Sequence, residues 1–131
     1  MTALDTNVLL RFLIWDDEVQ AHRAKRIVDR AYAESETLFL SDVVLVEAAW
    51  VLARSYRQTR RELLAILRSV LDSDILTFES LQRFSRTLDA FEQSPGDFAD
   101  YLLRERALEA GCKSVVTFDR RLKGQQGFRV L

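Results

Sequence analysis

Apolar positions along the chain recur with two alternating periods. A short apolar stretch at residues 2–4 predicts a first strand, and residues 8–14 and 17–33 carry the 3–4 spacing of two helices with a kink near Trp15. Residues 37–40 predict a second strand, 42–56 and 60–71 two helices, 75–78 a third strand and 81–91 a further helix. Ser94-Pro95-Gly96 breaks the chain into a loop. Beyond it, residues 98–110 read as a helix ended by Gly111, residues 114–118 as a β-branched strand and 128–131 as a last short one.

Strands alternate with helices throughout, which implies parallel pairing through right-handed helical crossovers and one sheet with helices on both faces. An α/β sheet of this kind forms its ligand site outside the carboxyl ends of the strands. The residues that directly follow each predicted strand are therefore the ones to inspect.

Composition narrows the class. The 131 residues are 48% hydrophobic and 30% charged, which excludes a disordered chain and is expected to give one domain over residues 1–131. No apolar run approaches the roughly 18 residues of a spanning helix, and the start MTALDTN lacks the pattern of a signal peptide, so neither a membrane anchor nor export is expected. A lone Cys112 rules out an internal disulfide and a thiolate zinc site, and a reducing cytoplasm is expected. With 19 Lys+Arg against 20 Asp+Glu the formal charge is −1, so any contact with nucleic acid must come from a local basic patch.

The candidate chemistry is acidic. Asp5 directly follows the first strand, placing it either at a site or as the cap of the next helix, with Thr6 and Asn7 entering that helix. Glu47 stands between Val43-Val44-Leu45-Val46 and Ala48-Ala49-Trp50, an acid in a helix apolar enough to be buried. A buried carboxylate needs compensation, through a site, through an ion pair with Arg54 or Arg11, or by rotation toward solvent. Asp97 and Asp100, three apart at a helix start, share one face and fit either a common ligand or a capping arrangement. Asp119 follows the strand 114–118 as Asp5 follows the first, with a turn-forming role as its alternative. If these acids meet at one sheet edge they repel, and a multivalent cation is the simplest compensation. Oxygen donors without a Cys or His cluster select Mg²⁺ or Mn²⁺.

In order, ALDTNVLLRFL, LSDVVLVEAAWVL and GDFADYLLRERALEAGCKSVVTFD resemble the PIN-domain nucleases, and most closely the VapC-type toxins of bacterial toxin–antitoxin pairs. The resemblance covers nearly the whole chain. It implies a three-layer α/β/α fold with a mainly parallel central sheet, and a metal-dependent endoribonuclease that acts on an RNA substrate. It also implies a homodimer and silencing by a cognate VapB-type antitoxin. By residue, Asp5 matches the family's first acid, Glu47 the second, Asp100 the third and Asp119 the fourth, with Asp97 an auxiliary metal candidate. Thr6 matches the hydroxyl that supports the first acid, and Asn7 and Thr117 stand as further supporting groups. Two departures stand out: Tyr101-Leu102-Leu103 where many relatives have small residues after the third acid, and Arg121 where an acidic or aromatic residue is frequent.

Arg11, Arg104, Arg120, Arg121 and Lys123 are candidate phosphate contacts, and Arg54, Arg57, Arg60 and Arg61 form a second basic group. His22 and Cys112 are expected to be chemically idle, and Trp15 and Trp50 to pack in a core or interface. A phosphoacceptor signalling domain also uses acids at strand ends, but it wants adjacent acids at the first strand, where this chain has only Asp5. The remaining alternative is a catalytically silent PIN scaffold that binds protein or RNA.

Overall fold

The structure is a computed structural model that describes all 131 residues. The chain divides into two compact units, Met1–Leu81 and Gln82–Leu131.

The first unit runs β1 (Thr2–Ala3), α1 (Thr6–Leu13), α2 (Glu18–Ala33), β2 (Leu38–Leu40), α3 (Asp42–Arg54), α4 (Arg60–Leu71) and β3 (Leu76–Phe78). Its strands pair in parallel in the order β1-β2-β3, with Ala3 opposite Phe39 and Leu40 opposite Phe78. Leu9, Leu40, Leu45 and Leu52 are fully buried between this sheet and its helices, each burial stabilising the fold by roughly 1.5–3 kcal/mol. Every helix here starts on a side chain that accepts an otherwise unpaired backbone N–H: Asp5, Asp17, Ser41 and Thr59. Thr59 and Glu62 form a reciprocal capping box on α4. The kink expected near Trp15 is a full break. Arg11 holds it, donating to Asp16 (3.2 Å), Gln20 (2.6 Å) and the Tyr56 hydroxyl (2.9 Å).

The second unit comprises all but the first residue of α5 (Leu81–Gln93), then α6 (Phe98–Glu109), β4 (Val115–Thr117), a single 3-10 turn (Arg120–Leu122) and β5 (Phe128–Val130). Phe84 and Phe91 meet Phe98 edge-on at 6.0 and 6.3 Å, and Tyr101, Leu88, Leu102 and Leu122 complete the core. Gly111 adopts φ +93° just past α6, where Cys112 N–H returns to the Ala107 carbonyl at 2.9 Å, a left-handed helix stop that suits glycine. β4 and β5 are parallel, Val115 opposite Phe128, although only residues 118–127 connect them.

The α/β class and parallel pairing are as the hydrophobic pattern anticipates, but the hydrogen bonds group the strands differently. In place of one ladder there are a three-stranded and a two-stranded set. The last crossover contains a 3-10 turn rather than the helix that parallel strands usually need.

Candidate functional site

In the first unit each strand's carboxyl end leads to an acid. Asp5 follows β1 and is exposed, and its Oδ1 accepts the Val8 N–H at 2.9 Å, so it caps α1 at the very position where a site is expected. Thr6 is buried beside it and Asn7 is exposed. Asp42, in the first turn after β2, is only 3% exposed, and its N–H donates to Glu79 Oε1 at 3.1 Å. Glu79 lies directly beyond β3. Neither Asp42 nor Glu79 is among the acids that the strand pattern singles out. The signal was available for Glu79, which follows residues 75–78 just as Asp5 follows residues 2–4.

The expected burial of Glu47 requires a correction. The residue is exposed, with no ion pair to Arg54 or Arg11, on a face of α3 that also exposes Val43 (72%) and Trp50 (59%). The apolar run around it predicted burial. Yet only Asp42, Leu45, Ala48, Ala49 and Leu52 of this helix face the core, and Glu47 takes the solvent-facing alternative. Trp50 is stacked under Arg54 at 5.6 Å, and Trp15, 48% exposed, meets His22 edge-on at 5.3 Å, so neither tryptophan is a core residue. A groove of about 330 Å³ beside Asp5 is lined by Asn7, Val8, Arg11, Gln20 and Arg23.

The second unit brings three acids around one cation. The Arg121 guanidinium forms a two-pronged contact with Asp119 (Nε to Oδ1 3.1 Å, Nη2 to Oδ2 2.6 Å) and a looser one with Asp97 (Nη1 to Oδ1 and Nη2 to Oδ2, both 3.3 Å). Its Nη2 also stands 3.8 Å from Asp100 Oδ2. Local structure aims each acid. Asp100, one turn into α6, accepts the Asp97 N–H at 2.8 Å. Asp119 is turned by two bonds, its N–H donating to Thr117 Oγ1 (3.0 Å) and its Oδ1 accepting the Arg121 N–H (2.9 Å).

Environment separates the two best-placed carboxyls. Burial pushes the Asp100 carboxyl above its ordinary range, helped by the neighbouring charges of Asp97 and Asp119. Hydrogen bonds from the Arg121 side chain and backbone hold Asp119 below that range, and the side-chain contacts with Asp119 and Asp97 raise the guanidinium further. As placed, no group of three or more His, Cys, Asp or Glu in either unit is spaced to hold a metal ion. The acids stand around a planar guanidinium instead.

The remaining basic candidates divide. Arg104 is structural: it packs over Tyr101 and Phe128 at 5.2 and 5.6 Å, and pairs with Glu105 at 3.1 Å. Arg120 and Lys123 flank Arg121, are exposed, and make no ion pair. Cys112 is exposed and free.

In each unit helices accompany short parallel strands and acids stand just past the strand ends, which defines an α/β protein. The PIN domain model matches residues 2–126, and the chain belongs to that family. It is similar to a VapC ribonuclease of Aquifex aeolicus (strain VF5), 27% identical over 131 residues that make up 100% of this chain and 96% of that protein. No helix is long and apolar enough to cross a membrane.

Proposed function

We propose that the chain is a divalent-metal-dependent endoribonuclease, the toxin partner of a VapB-type antitoxin, acting as one cytoplasmic PIN domain and as a homodimer. The observation that carries this reading is the gathering of Asp97, Asp100 and Asp119 about a single positive charge. Family membership and the likeness to a VapC ribonuclease support RNA as the substrate.

The donor chemistry, though not the present spacing of the oxygens around Arg121, suits Mg²⁺ or Mn²⁺. The set offers carboxylate oxygens alone, with no thiolate or imidazole beside them, and those oxygens already surround a cation. Asp5, Asp100 and Asp119 are assigned as principal ligands, with Asp97 auxiliary. Glu47 completes the set or orients the attacking water. A bound divalent ion would ease deprotonation of water and offset the charge that builds on the phosphoryl oxygens.

The chain's own residues supply the geometry. Asp100, partly buried, offers a carboxylate that burial raises above its ordinary range and whose charge gains from a cation. Thr117 fixes the turn that presents Asp119. Arg120 and Lys123, exposed and unpaired, offset the repulsion between an acidic site and a phosphate backbone.

The test is cleavage of defined RNAs by purified protein with Mg²⁺ or Mn²⁺. Asp5→Asn and Asp100→Asn are each expected to lower the rate by about a hundredfold or more, the scale of losing one group that stabilises transition-state charge. Cleavage that survives both substitutions overturns the mechanism. RNA binding without cleavage by the wild type under every metal condition favours the silent scaffold.

A further inference from the structure

Arg121 stands where the family resemblance implies an acidic or aromatic residue, and no part of the proposed chemistry employs it. We propose that it is a built-in counter-ion: it holds the acids in the metal-free protein and must be displaced before a divalent ion can bind. The inference rests on the metal site proposed above and deepens it.

Three observations carry it. First, the guanidinium uses the oxygens that a metal would need. Asp119 presents both carboxylate oxygens to it, Asp97 both of its own, and Asp100 one at 3.8 Å. A divalent ion drawing on these three carboxylates together would take the space the guanidinium fills, so the two compete for it. Second, the arrangement is selective. Of the three exposed cations on this stretch, Arg120, Arg121 and Lys123 with Leu122 buried among them, only Arg121 turns into the acids.

Third, the side chain can leave without its backbone. The Arg121 carbonyl accepts from Gln125 Nε2 at 3.0 Å, and Gln125 Oε1 accepts from the Tyr101 hydroxyl at 2.8 Å. The tether holds the Cα while the guanidinium, half exposed, faces water on its outer side. Release exchanges the contacts with three carboxylates for water, and that exchange is the free energy an incoming ion must supply. In the metal-free protein Arg121 spares the three carboxylates their mutual repulsion, and its presence lowers the apparent affinity for the ion that replaces it.

A purely structural role predicts the opposite sign, because loss of a scaffold residue would disorder the acids and weaken metal binding. Titrating Mn²⁺ calorimetrically into the full chain separates the two. Arg121→Gln is expected to bind Mn²⁺ at least tenfold more tightly than wild type, and Arg121→Lys, which keeps the charge but loses the fork, to fall between them. Affinity in Arg121→Gln that is equal to or weaker than wild type overturns the inference.

A second measurement needs no variant. The Arg121 Nε–H resonance of ¹⁵N-labelled wild type is expected to shift as Mg²⁺ saturates the site, and a resonance that stays fixed at saturation overturns the inference as well. Asp100→Asn serves as the control for the underlying metal site. If it binds Mn²⁺ like wild type, the metal-site reading fails. If it loses binding while Arg121→Gln gains none, only the counter-ion inference fails.

Discussion

At the scale of single residues, the second unit contains two carboxyls in opposite electrostatic situations. Asp119 is held below the ordinary range by Arg121, so in EDTA it stabilises the fold above that range and the contribution fades as pH falls through its lowered value. Asp100 is raised chiefly by burial, so its contribution is largest in acid and is lost as pH rises through its raised value. Carboxyl-carbon NMR titration of the metal-free protein should therefore find Asp119 ionising first and Asp100 later. Arg121→Gln should move the Asp119 midpoint upward. Coincident midpoints in the wild type would count against the described geometry. Asp5 and Asp119 were legible in sequence because an acid immediately after a short β-branched or apolar run has few places to go. The burial expected of Glu47 does not occur because composition gives the mean polarity of α3 and not which stripe faces the core. The engagement of Arg121 was not legible, since nothing local dictates that it turns inward while Arg120 and Lys123 do not.

At the scale of elements, helices were easier to read than sheet pairing. Each helix of the first unit begins on a residue type that caps by its own chemistry, and α6 stops at a glycine that takes a conformation other residues resist. Strands of two or three residues leave too little alternation to specify partners, which is why two ladders replaced the single expected one. The β4–β5 connection has a sharper requirement. Gly127 has φ +84°, and a Cβ there would stand 2.6 Å from Arg104 Cδ, with Arg104 itself clamped between two rings. Gly127→Ala is expected to destabilise by about 2–3 kcal/mol, from backbone strain and overpacking together. Gly111→Ala, with φ +93° but open space around it, should cost only about 1 kcal/mol. Urea denaturation of both variants checks the order, and equal losses would show that the contact with Arg104 is not a constraint.

At the scale of the whole molecule, the four acids of the family pattern fall on both units. Asp5 and Glu47 lie in Met1–Leu81, and Asp100 and Asp119 in Gln82–Leu131. Their order along the chain was therefore legible as a motif, whereas the cation seated among Asp97, Asp100 and Asp119 was not. A metal that binds only the folded chain stabilises it, by about 2.7 kcal/mol at a hundred times its dissociation constant. Millimolar Mn²⁺ should accordingly raise the melting temperature by several degrees, EDTA should reverse the rise, and Asp100→Asn should abolish it. An unchanged melting curve for the wild type would remove the metal from the account.

The buried Tyr101 hydroxyl receives the Gly96 N–H at 2.7 Å and donates to Gln125, so one phenol oxygen joins the loop that presents Asp97 to the loop that carries Arg121. Gly96 leaves no room for a methyl group there, since an added Cβ would stand 2.8 Å from that oxygen and 2.6 Å from Leu122 Cδ2. The spacing between an acid and its cation is thus set from beneath, by a group that touches neither charge. A chain that drifted at this tyrosine would keep all its acids and its arginine and still lose the distance that makes them interchangeable partners.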